Sequence, residues 1–122
     1  MKSQEIAEIS SYLEEILEVI KRHNPLSIVL FGSASTGNST EGSDIDLLVV
    51  LDIDKIPETY EEKKKLKLGL RKSLRSINSK IPIDLLVFTS KEIEIMRNQE
   101  NSFAEEIMNT GRVLYEKASY FY

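Results

Sequence analysis

Three short apolar runs constrain the fold of this chain more than any other feature of its sequence. They span residues 27–31, 44–51 and 81–88, and they are rich in valine, isoleucine and leucine. Runs of this length and composition predict strands that are buried on both faces of a sheet. A short loop of small and polar residues separates the first two runs, whereas a predicted helix from Pro57 to about Ile77 separates the second from the third. Such a helical connection is the usual crossover between parallel strands.

Helical periodicity and capping residues mark the remaining elements. Apolar residues at spacings of three and four predict an amphipathic helix from Ser3 to Arg22, and Ser90 is expected to cap a later helix. A short helix over 102–109 and an edge strand over 112–116 complete the order α-β-β-α-β-α-α-β. This order predicts an α/β (α+β) fold, in which a mixed sheet of about four strands is flanked by helices. No linker-like tract interrupts the sequence, so residues 1–122 are expected to form a single domain.

Composition and charge exclude several classes of protein. The chain has 41% hydrophobic and 30% charged residues, and 20 acidic against 16 basic residues give a net charge of -4. This balance is typical of a globular domain and argues against a basic, nucleic-acid-binding coat. Because there is no cysteine, disulfides, thiolate metal sites and cysteine nucleophiles are excluded. No apolar run approaches the roughly 18 residues that a membrane span requires, so no membrane partner and a cytoplasmic location are expected.

The pattern with the most chemical content joins the first two predicted strands. Gly32-Ser33 follows the first strand, ten residues intervene, and Asp44-Ile45-Asp46 opens the second. Two carboxylates separated by one residue on a strand point to the same face, about 6–7 Å apart, and can bind one divalent cation such as Mg²⁺. If these strands pair antiparallel, the small Gly-Ser turn, whose backbone can approach phosphate closely, lies beside both aspartates. A parallel third strand would bring Asp84 to the same edge of the sheet.

These residues resemble the signature of the nucleotidyltransferase superfamily, which includes the polymerase-β-like enzymes. More narrowly, the stretch from Phe31 to Val50 is similar to the minimal nucleotidyltransferases, many of which are antitoxins paired with a helical HEPN-domain toxin. The resemblance implies ATP as the substrate and two Mg²⁺ ions held by the carboxylates. It implies Gly32 and Ser33 for nucleotide binding. It implies Asp44, Asp46 and Asp84 for metal binding and catalysis, with Asp84 as a metal ligand or as the base for the attacking hydroxyl. In that family a hydroxyl attacks the α-phosphate and pyrophosphate is released.

The resemblance also implies a partner. Relatives that modify antibiotics or extend RNA add helical domains that hold the acceptor, so another molecule is expected to supply that surface here. By resemblance it is a HEPN toxin in a heteromeric complex, with a tyrosine of the toxin as the acceptor of AMP. Two alternatives stay open: a non-catalytic antitoxin that neutralises its partner by binding, and a small-molecule nucleotidyltransferase that acts as a homodimer. The sequence Ala34-Ser35-Thr36 favours the non-catalytic alternative, because many relatives carry Arg or Lys there.

Other features allow more than one interpretation. Asp84 is either a site residue or an exposed residue of an edge strand. Eight of the sixteen basic residues lie between 61 and 80, and they form either a solvated helix face or a surface for phosphate, RNA or an acidic partner. No aromatic residues interleave with these cations, which argues against nucleic acid. The aromatic tail 119–122 packs on a partner or on the sheet. Ser33 as a hydrolase nucleophile would need a base. The single histidine, His23, lies at a helix end before the first strand, which argues against this interpretation.

Overall fold

The computed structural model describes residues 3–32, 45–99 and 102–117. The element order follows the predicted one, except that the predicted helix over 57–77 is divided in two. The helices are α1 (Ser3–Lys21), α2 (Tyr60–Ser73), α3 (Arg75–Asn78), α4 (Ser90–Asn98) and α5 (Ser102–Thr110). The strands are β1 (Pro25–Phe31), β2 (Ile45–Leu51), β3 (Ile83–Thr89) and β4 (Arg112–Glu116). The predicted Asp44 and the tail 119–122 lie outside the described residues.

The four strands form one mixed sheet in the order β3-β2-β1-β4. β1 is antiparallel to both β2 and β4, whereas β2 and β3 are parallel. The parallel pairing expected from the helical crossover is confirmed, because α2 and α3 provide the connection that a parallel pair requires. The antiparallel pairing of β1 and β2, which was the condition for placing Gly32 beside the aspartates, is also observed. β4 lies at one edge of the sheet, as predicted, and β3 lies at the other.

Helices cover both faces of this sheet, so the central strands are apolar on both sides. Leu47 and Val49 of β2 belong to the core beneath α1, α2 and α3, and Leu48 and Val50 belong to the core beneath α4 and α5. Each fully buried side chain of this kind stabilises the fold by about 1.5–3 kcal/mol. Because side chains alternate along a strand, Asp46 at the start of β2 points to the same face as Leu48 and Val50.

The helix boundaries correct the sequence prediction in two places. Pro57 does not open α2, because Thr59 is the N-cap and its hydroxyl accepts a hydrogen bond of 3.1 Å from the Glu62 amide. The helix does not continue to Ile77 without a break either, since Leu74 has φ -94° and ψ 3° and divides α2 from α3.

The cap of α4 is likewise one residue earlier than predicted. Thr89, not Ser90, is the N-cap: its hydroxyl accepts from the Glu92 amide at 3.2 Å, and the Glu92 carboxylate accepts from the Thr89 amide at 3.0 Å. The Ser90 hydroxyl instead donates to the carbonyl oxygen of Ile53 at 2.9 Å. Within the described ranges, no helix has the length and apolar character that crossing a bilayer demands.

Candidate active site

Two of the predicted carboxylates lie side by side on neighbouring strands. Asp46 of β2 and Asp84 of β3 are register partners in the parallel pair, and strands in a sheet are about 4.8 Å apart. The strand alternation places both on the face covered by α4 and α5, because Leu48 and Leu86, two residues further along, pack in the core on that face. Asp46 is half-buried and Asp84 is exposed. Asp84 is therefore both an edge-strand residue and a neighbour of the predicted site, so the two interpretations of this residue are compatible.

The end of β1 contacts the same carboxylate. Phe31 is the register partner of Asp46, and Gly32 follows with a φ of 74°, in the left-handed region that favours glycine. A Cβ atom at position 32 would overlap the Asp46 carboxylate and lie 3.2 Å from its Cγ. The absence of a side chain at this position thus lets the backbone of the turn approach the carboxylate closely.

The structure brings together three of the five predicted site residues: Gly32, Asp46 and Asp84. The other two, Ser33 and Asp44, lie outside the described residues. In the described part of the chain, no group of three or more Asp, Glu, His or Cys side chains is arranged to hold a metal ion. The pair formed by Asp46 and Asp84 nevertheless fits a hard divalent cation, because carboxylate oxygens are the ligands that Mg²⁺ prefers.

The basic residues between 61 and 80 separate into groups with different surroundings. Lys63 is bound within the fold: its Nζ lies 2.7 Å from the Glu92 carboxylate and 4.3 Å from the centre of the Phe88 ring. Arg71 and Arg75, in contrast, line an open groove between the helices and β3. The sequence shows the excess of positive charge, but only the packing of the helices on β3 separates the structural lysine from the exposed arginines.

The structure does not test the hydrolase alternative, in which His23 would activate Ser33, because Ser33 lies outside the described residues. The His23 Nε2 atom lies 2.9 Å from the Ser73 hydroxyl, which ties the end of α1 to the end of α2. This contact gives the single histidine a structural partner at the end of α2.

Comparison with known proteins identifies relatives along most of the chain. Residues 14–120 match the family described as Polymerase beta, Nucleotidyltransferase. A protein of Methanocaldococcus jannaschii assigned by name as a protein adenylyltransferase, MJ0141, is 28% identical over 88% of this chain and 96% of its own length. An aminoglycoside (3'') (9) adenylyltransferase of Escherichia coli is 43% identical over 56 residues, which are 43% of this chain. That match spans only 21% of the aminoglycoside enzyme, so the chain covers about a fifth of its length.

Two solved structures share the fold. A toxin–antitoxin structure with AMP-PNP has a TM-score of 0.52 and 19% identity, over 87% of this chain and 74% of the matched chain. A structure assigned as a minimal nucleotidyltransferase has a TM-score of 0.52 and 23% identity, over 86% of this chain and 91% of the matched chain. The mixed sheet with its flanking helices is therefore the nucleotidyltransferase fold, and the predicted fold class is confirmed.

Proposed function

Because the chain belongs to the polymerase beta nucleotidyltransferase family, we propose that it transfers AMP from ATP to a hydroxyl of a partner protein. The acceptor is a tyrosine of a helical HEPN toxin, and the transfer makes this chain the antitoxin of a toxin–antitoxin pair. The observation that carries the proposal is the juxtaposition of Gly32 with Asp46, which has Asp84 beside it on the next strand.

Two of the relatives support a protein as the acceptor, whereas the aminoglycoside adenylyltransferase matches over only 21% of its own length. The M. jannaschii protein, which matches over 96% of its length, is named for adenylyl transfer to proteins. The toxin–antitoxin structure with AMP-PNP has the same fold, which supports both a nucleotide substrate and a toxin partner. The two together favour a macromolecular acceptor over a small molecule.

The carboxylates are suited to hold Mg²⁺. Asp46 and Asp84 are adjacent across the parallel pair, and Asp44, two residues before Asp46 in sequence, is the third proposed ligand. When bound, two Mg²⁺ ions neutralise phosphate charge and stabilise the entering and leaving oxygens.

The residues of the chain itself position the substrates and accept the proton. Gly32 lets the backbone of the turn approach the triphosphate, and the Ser33 hydroxyl donates to a phosphate oxygen. Asp84 is exposed at the sheet edge, where it accepts the proton of the attacking tyrosine hydroxyl. The tyrosine oxygen forms a bond to the α-phosphorus, the bond from that phosphorus to the bridging oxygen breaks, and pyrophosphate leaves with the electron pair.

The experiment that tests this proposal is an intact-mass measurement on the HEPN toxin encoded in the same genome. The toxin is incubated with this protein, ATP and Mg²⁺, and we expect a mass gain of one or more AMP units. The variant Asp44→Asn/Asp46→Asn and, separately, Asp84→Asn should lower the rate of transfer about 100-fold or more, because each removes a charged oxygen from the site. Asp54→Asn is the matched control, since Asp54 is an exposed carboxylate beyond the opposite end of β2.

A second candidate function is neutralisation by binding alone. It is favoured by Ala34-Ser35-Thr36, which supplies no cation to the phosphates. In that case the toxin mass stays unchanged, and the Asp44→Asn/Asp46→Asn variant forms the complex and protects cells as well as the parent protein does. Protection that requires the aspartates contradicts this second candidate.

A further inference from the structure

An open groove lies between the helical crossover and the edge strand β3. It has a volume of about 290 Å³. Its residues come from α2, from α3 and the break before it, and from the start of β3: Leu68, Arg71, Lys72, Leu74, Arg75, Asn78, Ile83 and Leu85. The groove therefore combines an aliphatic floor with a cationic wall, a combination that suits a ligand with both apolar and acidic groups.

The cationic wall follows from helical spacing. Leu68, Arg71, Lys72 and Arg75 stand at positions i, i+3, i+4 and i+7, which share one face across the break at Leu74. All three cations are exposed. Arg71, Lys72 and Arg75 take part in none of the three ion pairs found among the described residues, which are made by Lys63, Lys91 and Lys117, so these pairs do not neutralise the groove.

The groove and the candidate active site lie on opposite faces of the edge strand β3. Ile83 and Leu85 lie in the groove, and Asp84 stands between them with its Cα about 3.8 Å from that of each neighbour. The end of the groove is fixed, because the Ile83 amide donates to the Asn78 side chain at 2.9 Å. Asp84 is exposed and points to the face opposite the groove, so a chain in the groove would have to continue around the edge of β3 to approach it.

Resting on the proposed transfer to a protein hydroxyl, we propose that this groove binds an acidic segment, with interspersed apolar side chains, of the protein that carries the acceptor. The acidic groups pair with Arg71, Lys72 and Arg75, and the apolar groups cover the aliphatic floor. Chain that follows this segment continues around the edge strand β3 and brings the acceptor hydroxyl to Asp84. Binding energy from the groove is used to position a reacting group that would otherwise have to find the site by free diffusion.

Protein is favoured over the other anionic ligands that a cationic groove could attract. The lining contains no aromatic ring on which a base could stack, whereas four of its eight residues are aliphatic. An aliphatic floor beneath exposed cations instead matches a mixed acidic and apolar peptide.

Fluorescence anisotropy with synthetic probes tests the proposal on the full chain without ATP. The probe is a labelled peptide of Glu and Leu around a single Tyr, and two further peptides replace Glu by Lys or Leu by Ser. A single-stranded RNA of equal charge is the comparison. We expect the Glu/Leu peptide to bind more tightly than the others. The triple variant Arg71→Glu/Lys72→Glu/Arg75→Glu should weaken its binding by about tenfold, because three weak surface pairs are lost together.

The matched control is Lys55→Glu/Lys64→Glu/Lys65→Glu, which makes the same change in charge at exposed positions outside the groove. It should leave the Kd within about twofold, apart from a general electrostatic effect that salt screens. Circular dichroism melting checks that both variants are folded. Equal weakening by both variants overturns the proposal, and so does RNA that binds more tightly than the peptide with the same dependence on Arg71, Lys72 and Arg75.

A second readout separates this inference from the proposed function. Each variant is assayed for transfer of AMP to the peptide tyrosine, with Asp84→Asn as the inactive comparison. If peptide binding depends on the groove but no form of the protein transfers AMP to the peptide or to the toxin, the docking surface stands and the proposed function fails. If transfer occurs equally well with the groove variant, the groove does not hold the acceptor and the inference is wrong.

Discussion

Gly32→Ala isolates the contact between the turn and the site carboxylate. Gly32 has a φ of 74°, and a Cβ added there would overlap the carboxylate of Asp46, 3.2 Å from its Cγ and 3.4 Å from its Cβ. The substitution therefore has two separate effects. An L-residue is strained in this backbone conformation, and the new methyl group must displace the Asp46 side chain or the turn.

The two effects differ in magnitude and in what they change. The left-handed conformation costs an alanine about 1–2 kcal/mol, which should lower Tm by about 5–10 °C in a domain of this size. A domain has about 5–15 kcal/mol of stability, so the variant stays folded at room temperature. Displacement of a site carboxylate by roughly 1 Å, however, can lower catalytic efficiency about 100-fold. The loss of activity should therefore greatly exceed any loss of folded protein.

Thermal unfolding and AMP transfer to the toxin are measured on Gly32→Ala together with two other glycine variants. Gly69 in α2 has open space around it, so Gly69→Ala should raise stability by about 0.5–1 kcal/mol and leave activity unchanged. A Cβ at Gly111 would lie 2.5 Å from the Ile107 carbonyl oxygen and 2.6 Å from Val29 Cγ1. Gly111→Ala should thus destabilise by about 1–3 kcal/mol through overpacking, away from Asp46.

The three glycine variants together test whether close approach of the turn to Asp46 is required for activity. If Gly32→Ala retains transfer activity within a few-fold of the parent protein, close approach of the turn to Asp46 is not required, and the reasoning from this contact is refuted. If Gly111→Ala loses as much activity as Gly32→Ala at equal loss of stability, the effect is general destabilisation and not a change in the site.

Three further predictions concern the site edge and the α4 region. Asp84→Asn should change Tm by less than about 2 °C, because the side chain is exposed, while transfer falls; a large change in Tm would show that Asp84 is structural. Thr89→Val should lower the free energy of unfolding by about 1–2 kcal/mol in urea titration, because the buried cap loses its acceptor for the Glu92 amide, and an unchanged midpoint would contradict this. Lys63→Met keeps the apolar stem but removes the ion pair with Glu92 and the contact with the Phe88 ring. It should lower the free energy of unfolding by about 1 kcal/mol, and high salt should reduce this difference by weakening the ion pair in the parent protein. An equal salt response in parent and Lys63→Met would argue that the pair contributes nothing.

Local errors in the sequence prediction have local physical causes. Pro57 and Thr59 are both compatible with a helix start, and only Thr59 has the partner, the Glu62 amide, that decides between them. In the same way, Thr89 rather than Ser90 caps α4, because the reciprocal bond from Glu92 fits one of the two hydroxyl residues. The break at Leu74 has no sequence signal of a helix end, and Leu74 itself is 1% exposed in the core.

The parts of the site were predictable to different extents. The residue types and the Gly-Ser and Asp-x-Asp spacing are visible in the sequence, and so is the candidate third carboxylate. The groove is not, because Leu68 and Ile83 come from separate elements and its depth depends on how the crossover packs on β3. Periodicity predicts which side of an element is buried, but it does not predict where two elements leave a space between them.

The sequence by itself determined the strands, the order of the elements and the parallel direction of β2 and β3. These follow from local composition and from the connection between β2 and β3, since a long helical crossover is the usual link between parallel strands. Only the tertiary structure decided the register that sets Asp46 opposite Asp84 and brings Gly32 against the Asp46 carboxylate. A shift of one residue would turn one carboxylate to the other face of the sheet, and the packing of the two helical layers on β2 and β3 prevents it.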